Sequence, residues 1–259
     1  MSLQVYILIA ASAFGLMIGT FLNVVVHRLP IMISGEAMKI DDAKAFNLAF
    51  PASHCPSCHT PLRPWHNVPL FSYVALRGRC HACGTPISWR YPLIEALTAL
   101  LFVACVIAFG PTVKTLSAML LAATLIALAT IDIEIKLLPD CLTLPLLWAG
   151  LLFNTTGIFV PVASAVYGAV LGYIFFWGLC SAYSRLRGRR AMGEGDFKLA
   201  AALGAWFGPE SIGLIALCAG CLVLLAAVLF KRLCRSEEQT VPFGPALAVG
   251  AGLYLFLFS

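Results

Sequence analysis

The sequence predicts an all-α polytopic membrane protein with about eight transmembrane helices and a small cytoplasmic insert between the first two. Three observations predict this. The 259 residues are 61% hydrophobic and only 11% charged, a balance that excludes an ordinary soluble domain. The apolar residues are gathered into eight runs separated by short polar segments. One polar stretch of real size, residues 28–91, lies between the first and second runs and carries two Cys-x-x-Cys pairs.

Each run has its own signal. Leu3–Val26 holds no charge and lacks the basic start of a cleaved signal, so it reads as a retained first span. The others are Leu93–Phe109, Leu116–Ile131, Leu142–Val160, Val162–Tyr183, Leu199–Phe207, Ile212–Phe230 and Phe243–Phe258. A spanning helix needs about 20 apolar residues, and the sixth run falls well short of that. Charge nonetheless counts it as a crossing. Segments 28–91, 132–140, 184–198 and 231–241 carry 16 of the 17 basic residues, leaving Lys114 alone elsewhere. The positive-inside rule places those four segments in the cytoplasm and both termini outside. Without the sixth crossing, segments 184–198 and 231–241 would fall on opposite sides despite their shared charge. The net charge of +5 is thereby explained by membrane topology, and no nucleic-acid partner is expected. The chain divides into a first helix over 1–27, a cytoplasmic insert over 28–91 and a membrane core over 92–259.

The insert holds Cys55-Pro56-Ser57-Cys58, then twenty-one residues, then Cys80-His81-Ala82-Cys83. Two such pairs fit a four-thiolate tetrahedral zinc knuckle, and the cytoplasm argues against disulfides. The alternatives are four reduced structural cysteines or a redox pair. His59 and His81 stand beside the cysteines as substitute ligands or surface groups. The remaining cysteines are Cys105, Cys141, Cys180, Cys218, Cys221 and Cys234; Cys218 and Cys221 have the same spacing but lie within an apolar run, so those two read as small lipid- or helix-facing residues.

The chemistry points to two aspartates. Asp196 lies in Gly193-Glu194-Gly195-Asp196-Phe197-Lys198, where the glycines are expected to let the helix start unwind and another chain come close. Asp132 ends the third run, where an acid opposes the helix dipole. An ionisable group at a bilayer edge is a functional candidate by default. Two facing carboxylates do not both ionise readily; the charged one can deprotonate water while the protonated one polarises a carbonyl. Asp140, after Pro139, reads as the N-cap of the fourth span, and Glu95 as an N-terminal dipole partner of the second. Glu194 is placed to tune Asp196, and Glu134 points away from Asp132. The pairs Gly15/Gly19, Gly168/Gly172 and Gly204/Gly208 have the spacing of close helix contacts within the bundle. The basic stretch Arg185–Arg190 suits anionic lipid headgroups.

Taken in order, several fragments resemble the bacterial type IV prepilin peptidases, also called leader peptidase/N-methyltransferases. They are Gly19-Thr20-Phe21-Leu22-Asn23 with Arg28-Leu29-Pro30, the two cysteine pairs, Asn67-Val68-Pro69, Leu76-Arg77-Gly78, Tyr91-Pro92-Leu93-Ile94-Glu95, Asp132 through Asp140, Gly150 through Asn154, and Met192 through Lys198. The resemblance implies a GxGD-type aspartic peptidase of the bacterial inner membrane with Asp132 and Asp196 catalytic. Its substrates would be prepilins of type IV pili and pseudopilins of type II secretion, cleaved after glycine at the membrane edge. It also implies N-methylation of the new N-terminal residue with S-adenosylmethionine, associated with the insert. No glycine-rich dinucleotide fingerprint is present, so that methyl-donor activity rests on the resemblance. Rival readings are a peptidase without methylation and a non-enzymatic zinc-binding membrane assembly factor or transporter. The edge placement of the aspartates disfavours a conduction path.

Overall fold

A computed structural model of the chain describes residues 2–35, 46–188, 192–233 and 242–258. Lys39, Lys44, Arg189, Arg190, Cys234 and Arg235, which entered the charge, lipid and cysteine readings, lie outside the described residues. Among the described residues every regular element is a helix, apart from two isolated β-bridges, and most of the insert is turns and irregular chain. Helices form at all eight apolar runs: α1 Leu3–Ile33, α3 Arg90–Phe109, α4 Val113–Ile135, α5 Asp140–Asn154, α6 Val162–Arg187, α7 Glu194–Phe207, α8 Pro209–Leu233 and α9 Gly244–Phe258. Among the described residues of the insert, a short 3-10 helix, Pro64–Asn67, precedes a short α-helix, α2 (Phe71–Ala75).

Five of these helices, α1, α3, α4, α6 and α8, are long and apolar enough to cross a membrane, whereas α5 and α9 have 15 residues and α7 has 14. The all-helical membrane architecture is as expected, with five helices of spanning length among the about eight expected and the sixth run short as its sequence indicates. Helix α5 stops at Asn154 rather than Val160, because the Asn154 side chain leaves the helix to work between segments. Its Nδ2 donates to the carbonyls of Ala205 and Trp206, and its Oδ1 accepts from the N–H groups of Phe159 and Val160. Helix α1 continues past Val26 to Ile33, carrying Arg28 to carbonyl partners in the insert.

The chain separates into two compact units, Met1–Thr115 and Leu116–Ser259. In the first, α1 packs on α3 through its glycines. A Cβ on Gly19 would lie 2.6 Å from the Glu95 Cα, so the backbones meet with no side chain between them. Arg28 is buried and donates to the carbonyls of Asn47 (2.9 Å) and Pro51 (2.6 Å), fixing the start of the described insert to α1. Glu95 is not a dipole partner in the first turn of α3. It is buried a turn further on, where Oε1 accepts from the Thr20 hydroxyl and Oε2 from the Leu70 N–H, both at 2.9 Å.

In the second unit α7 is the buried axis. All residues from Leu199 to Phe207 are buried, and α5, α6, α8 and α9 pack around them. A helix apolar on every side belongs in a protein interior, which is why a short run suffices here. Gly168 on α6 faces Gly204 on α7 with backbone against backbone. The glycine pairs thus pack helices inside each unit, as their spacing predicts.

Candidate active site and metal centre

The second unit holds both aspartates. Asp132 lies in the last turn of α4 and is 6% exposed. The backbone then turns sharply: Lys136 takes a left-handed φ of 54° and its N–H donates to the Asp132 carbonyl at 2.9 Å. The carboxylate avoids the unfavourable end of its own helix by turning to the favourable end of another. Its Oδ2 accepts from the N–H of Gly244, the first residue of α9, at 2.9 Å. A Cβ on Gly244 would lie 2.8 Å from that oxygen, so a hydrogen at this position is what admits the carboxylate.

Asp196 is 8% exposed and sits in the first turn of α7. Its Oδ2 accepts from the Gly193 N–H at 3.1 Å, half of a capping box in which the N-cap has no side chain to reciprocate. Its Oδ1 is buried with no hydrogen-bond partner among the described residues. The expected unwinding around the glycines is absent, since α7 starts at Glu194 and neither glycine has a positive φ. The two glycines differ in purpose. A Cβ on Gly195 would meet the Leu138 Cβ at 2.7 Å, whereas one on Gly193 would make only ordinary contact, 3.7 Å from Asp196 Oδ2.

Leu138 joins the two halves. It is a buried leucine in the loop after α4, lying against Gly195 beside Asp196 and against Gly244 beside Asp132. Glu134 and Glu194 are exposed. Asp140 is the first residue of α5 rather than its N-cap, which is Pro139; its carboxylate instead takes both oxygens to Lys198 Nζ at 2.8 and 2.7 Å. That pair ties the start of α5 to the first turns of α7. Gly244 and Leu138 were missed in the sequence. Pro242-Phe243-Gly244-Pro245 carries helix-start chemistry, and Leu138 is a buried apolar residue just after Lys136, but neither signal names a partner.

In the first unit the four cysteines converge. The sulfurs of Cys55, Cys58, Cys80 and Cys83 all lie within 4.8 Å of one another, with Cys55 Sγ 3.8 Å from Cys83 Sγ. Zinc–sulfur bonds of about 2.3 Å in a tetrahedron require sulfurs about 3.8 Å apart, so the donor set fits zinc. The two halves are built alike. Cys55 N–H donates to the Thr60 carbonyl and Cys80 N–H to that of Thr85, each turn ending in an isolated bridge, His54 with Pro61 and Arg79 with Pro86. Cys58 and Cys83 each lie 3.2 Å from a threonine hydroxyl, Thr60 and Thr85. The Thr85 hydroxyl and backbone lower the Cys83 thiol to about 6, which favours the thiolate, the metal-binding form. The repeat Cys-x-x-Cys-x-Thr-Pro is legible in the sequence at both sites. His59 and His81 are exposed and outside the sulfur cluster; the His81 ring lies tilted against that of His66 with ring centres 4.1 Å apart.

Residues 13–109 match the Bacterial Peptidase A24 N-terminal domain and residues 119–230 the Type IV leader peptidase family. The chain is 44% identical to the prepilin leader peptidase/N-methyltransferase of Neisseria gonorrhoeae, over 92% of this chain and 86% of the relative. It is 45% identical to that of Dickeya chrysanthemi, over 96% and 92% respectively. It is 47% identical to that of Burkholderia pseudomallei strain 1026b, over 95% and 84%. No solved structure matches.

Proposed function

The chain belongs to the type IV leader peptidase family, and from that we propose that it removes the leader of prepilins with Asp132 and Asp196 and then methylates the amine it exposes. The observation that carries the peptidase assignment is the pair of buried carboxyls. They come from α4 and α7, each is held by a single backbone N–H at a helix start, and Leu138 packs against both the glycine before Asp196 and the glycine that donates to Asp132. Two carboxyls in one buried site share a proton rather than both ionising. The ionised member takes a proton from water as that water attacks the scissile carbonyl. The protonated member donates to the carbonyl oxygen. Collapse breaks the C–N bond, and the departing amine takes up a proton from the dyad. The single backbone donor on each Oδ2 fixes each carboxyl and leaves Asp196 Oδ1 available to water or substrate.

The cleaved substrates are prepilins and, by the same leader chemistry, the pseudopilins of type II secretion. The peptidase core over 92–259 lies in the bacterial inner membrane with the insert over 28–91 in the cytoplasm. Cys55, Cys58, Cys80 and Cys83 hold a structural zinc ion that stabilises an insert too small for a core of its own. When bound, S-adenosylmethionine would supply an electrophilic methyl group, and the amine exposed by cleavage, once deprotonated, would be its acceptor.

The test is mass spectrometry of a prepilin with a Gly-Phe junction after incubation with the purified protein and methyl donor. A product lacking the leader and heavier by one methyl at its N-terminus supports both activities. A shortened, unmethylated product removes the methyl-transfer half, and an intact prepilin removes the peptidase.

A further inference from the structure

The first unit has a cavity of about 610 Å³ whose lining includes neither aspartate. Small-molecule sites occupy roughly 300–1,000 Å³. Its walls carry an uncommon set of uncommitted polar groups. Asn23 is 3% exposed; its Nδ2 donates to the carbonyls of Gly19 and Tyr91, but its Oδ1 has no partner. His66 Nδ1 is likewise buried and unpartnered. Glu95 is the one acid among the lining residues, is 8% exposed, and pairs with no described cation. Its bonds from Thr20 and Leu70 use one lone pair on each oxygen and leave the others available. Arg28 stands on the same wall, balanced by carbonyls rather than by an acid. Tyr73 and Tyr91 add aromatic faces.

We propose that this cavity is the S-adenosylmethionine site, with Glu95 receiving the cationic ammonium and sulfonium groups and Asn23 Oδ1 accepting an N–H of the ligand. The assignment rests on the methyl-transfer reading above and adds the residues to it. The ligand carries two cationic centres, one carboxylate and a flat purine. The cavity offers one buried acid, one buried guanidinium with the half-buried Arg90 also lining it, an unpaired amide oxygen, an unpaired imidazole nitrogen and tyrosine rings. A buried carboxylate with no cation is costly, and a cationic ligand offsets that cost. Cys55 and Cys80 also line the cavity, so the metal cluster shapes one of its walls.

The experiment measures binding of radiolabelled S-adenosylmethionine to the full chain in detergent by equilibrium dialysis, without prepilin. Glu95→Gln is the informative variant because it removes charge and keeps the local bonds. The Gln carbonyl accepts from Leu70, and its amide donates to Thr20 Oγ1 while that hydroxyl donates to the Leu16 carbonyl, 3.2 Å away. The expected result is a Kd raised about tenfold or more, with metal content and leader cleavage retained as signs of folding. Ultraviolet attachment of the labelled donor to the wild-type chain gives an independent readout, expected on peptides within residues 20–95. Wild-type affinity in Glu95→Gln, or label on peptides outside that range, overturns the site. If the product is methylated while either occurs, the methyl-transfer reading survives and the site alone fails. If the wild-type chain neither binds donor nor methylates, the reading itself fails.

Discussion

Replacing Gly244 by alanine tests how tightly α9 holds Asp132. The new Cβ would lie 2.8 Å from Asp132 Oδ2 and 3.2 Å from both Asp132 Cγ and Leu138 Cδ2. All three belong to buried residues with little freedom to yield. Relief requires a shift of about half an ångström, which stretches the 2.9 Å hydrogen bond from the Gly244 N–H towards the limit of useful geometry. A hydrogen bond to a charged group contributes about 1.5–3 kcal/mol, and overpacking costs about 1–3 kcal/mol. Alanine recovers at most about 1 kcal/mol from helix propensity, so the net effect is destabilising. A misplacement of about 1 Å can cost a hundredfold in rate, so half of that corresponds to about a tenfold loss. The assay is leader-cleavage kinetics in detergent alongside thermal unfolding. Gly252→Ala on the same helix, with nothing within 4 Å of its Cβ, is the control and should match the wild type. Gly244→Ala with unchanged kcat and unchanged unfolding would refute the account of how Asp132 is positioned.

Within the Gly-Glu-Gly-Asp run the two glycines should behave differently in the same cleavage assay. Gly195→Ala, clashing with Leu138, should lose at least about tenfold by the same displacement argument, and Gly193→Ala should stay within about threefold. Asp140→Asn removes a half-exposed ion pair with Lys198, worth about 0–1 kcal/mol, and should leave the cleavage rate within about threefold; a complete loss would mean that Asp140 belongs to the site. Cys80→Ser should abolish stoichiometric zinc in elemental analysis and make the insert susceptible to limited proteolysis, because three remaining thiolates hold the metal weakly.

The helices were legible because membrane runs are long and charge-free, and the two aspartates because acids at the edges of such runs are conspicuous. The cysteine cluster was legible from spacing alone, and the structure brings the four sulfurs within 4.8 Å of one another. What the sequence did not reveal depends on distant partners. Gly244 lies 112 positions from the carboxylate it serves, and nothing local to Asp132 announces it. Glu95 reads as a helix-start acid until α1 and Leu70 close over it. Helix α7 seemed too short because length was judged against lipid, whereas its neighbours are other helices. Asp140 looked like a cap because Lys198 is remote in sequence.

The central claim is that Asp132 and Asp196 act as one unit. The most direct measurement is the cleavage rate of one prepilin by the wild type, Asp132→Asn, Asp196→Asn and the double variant, each checked for folding and zinc content. The account predicts that either single substitution lowers the rate at least about a thousandfold and that the double variant is no worse, because members of a catalytic unit are not additive. A single variant that cleaves near the wild-type rate, or losses that multiply in the double variant, would contradict it.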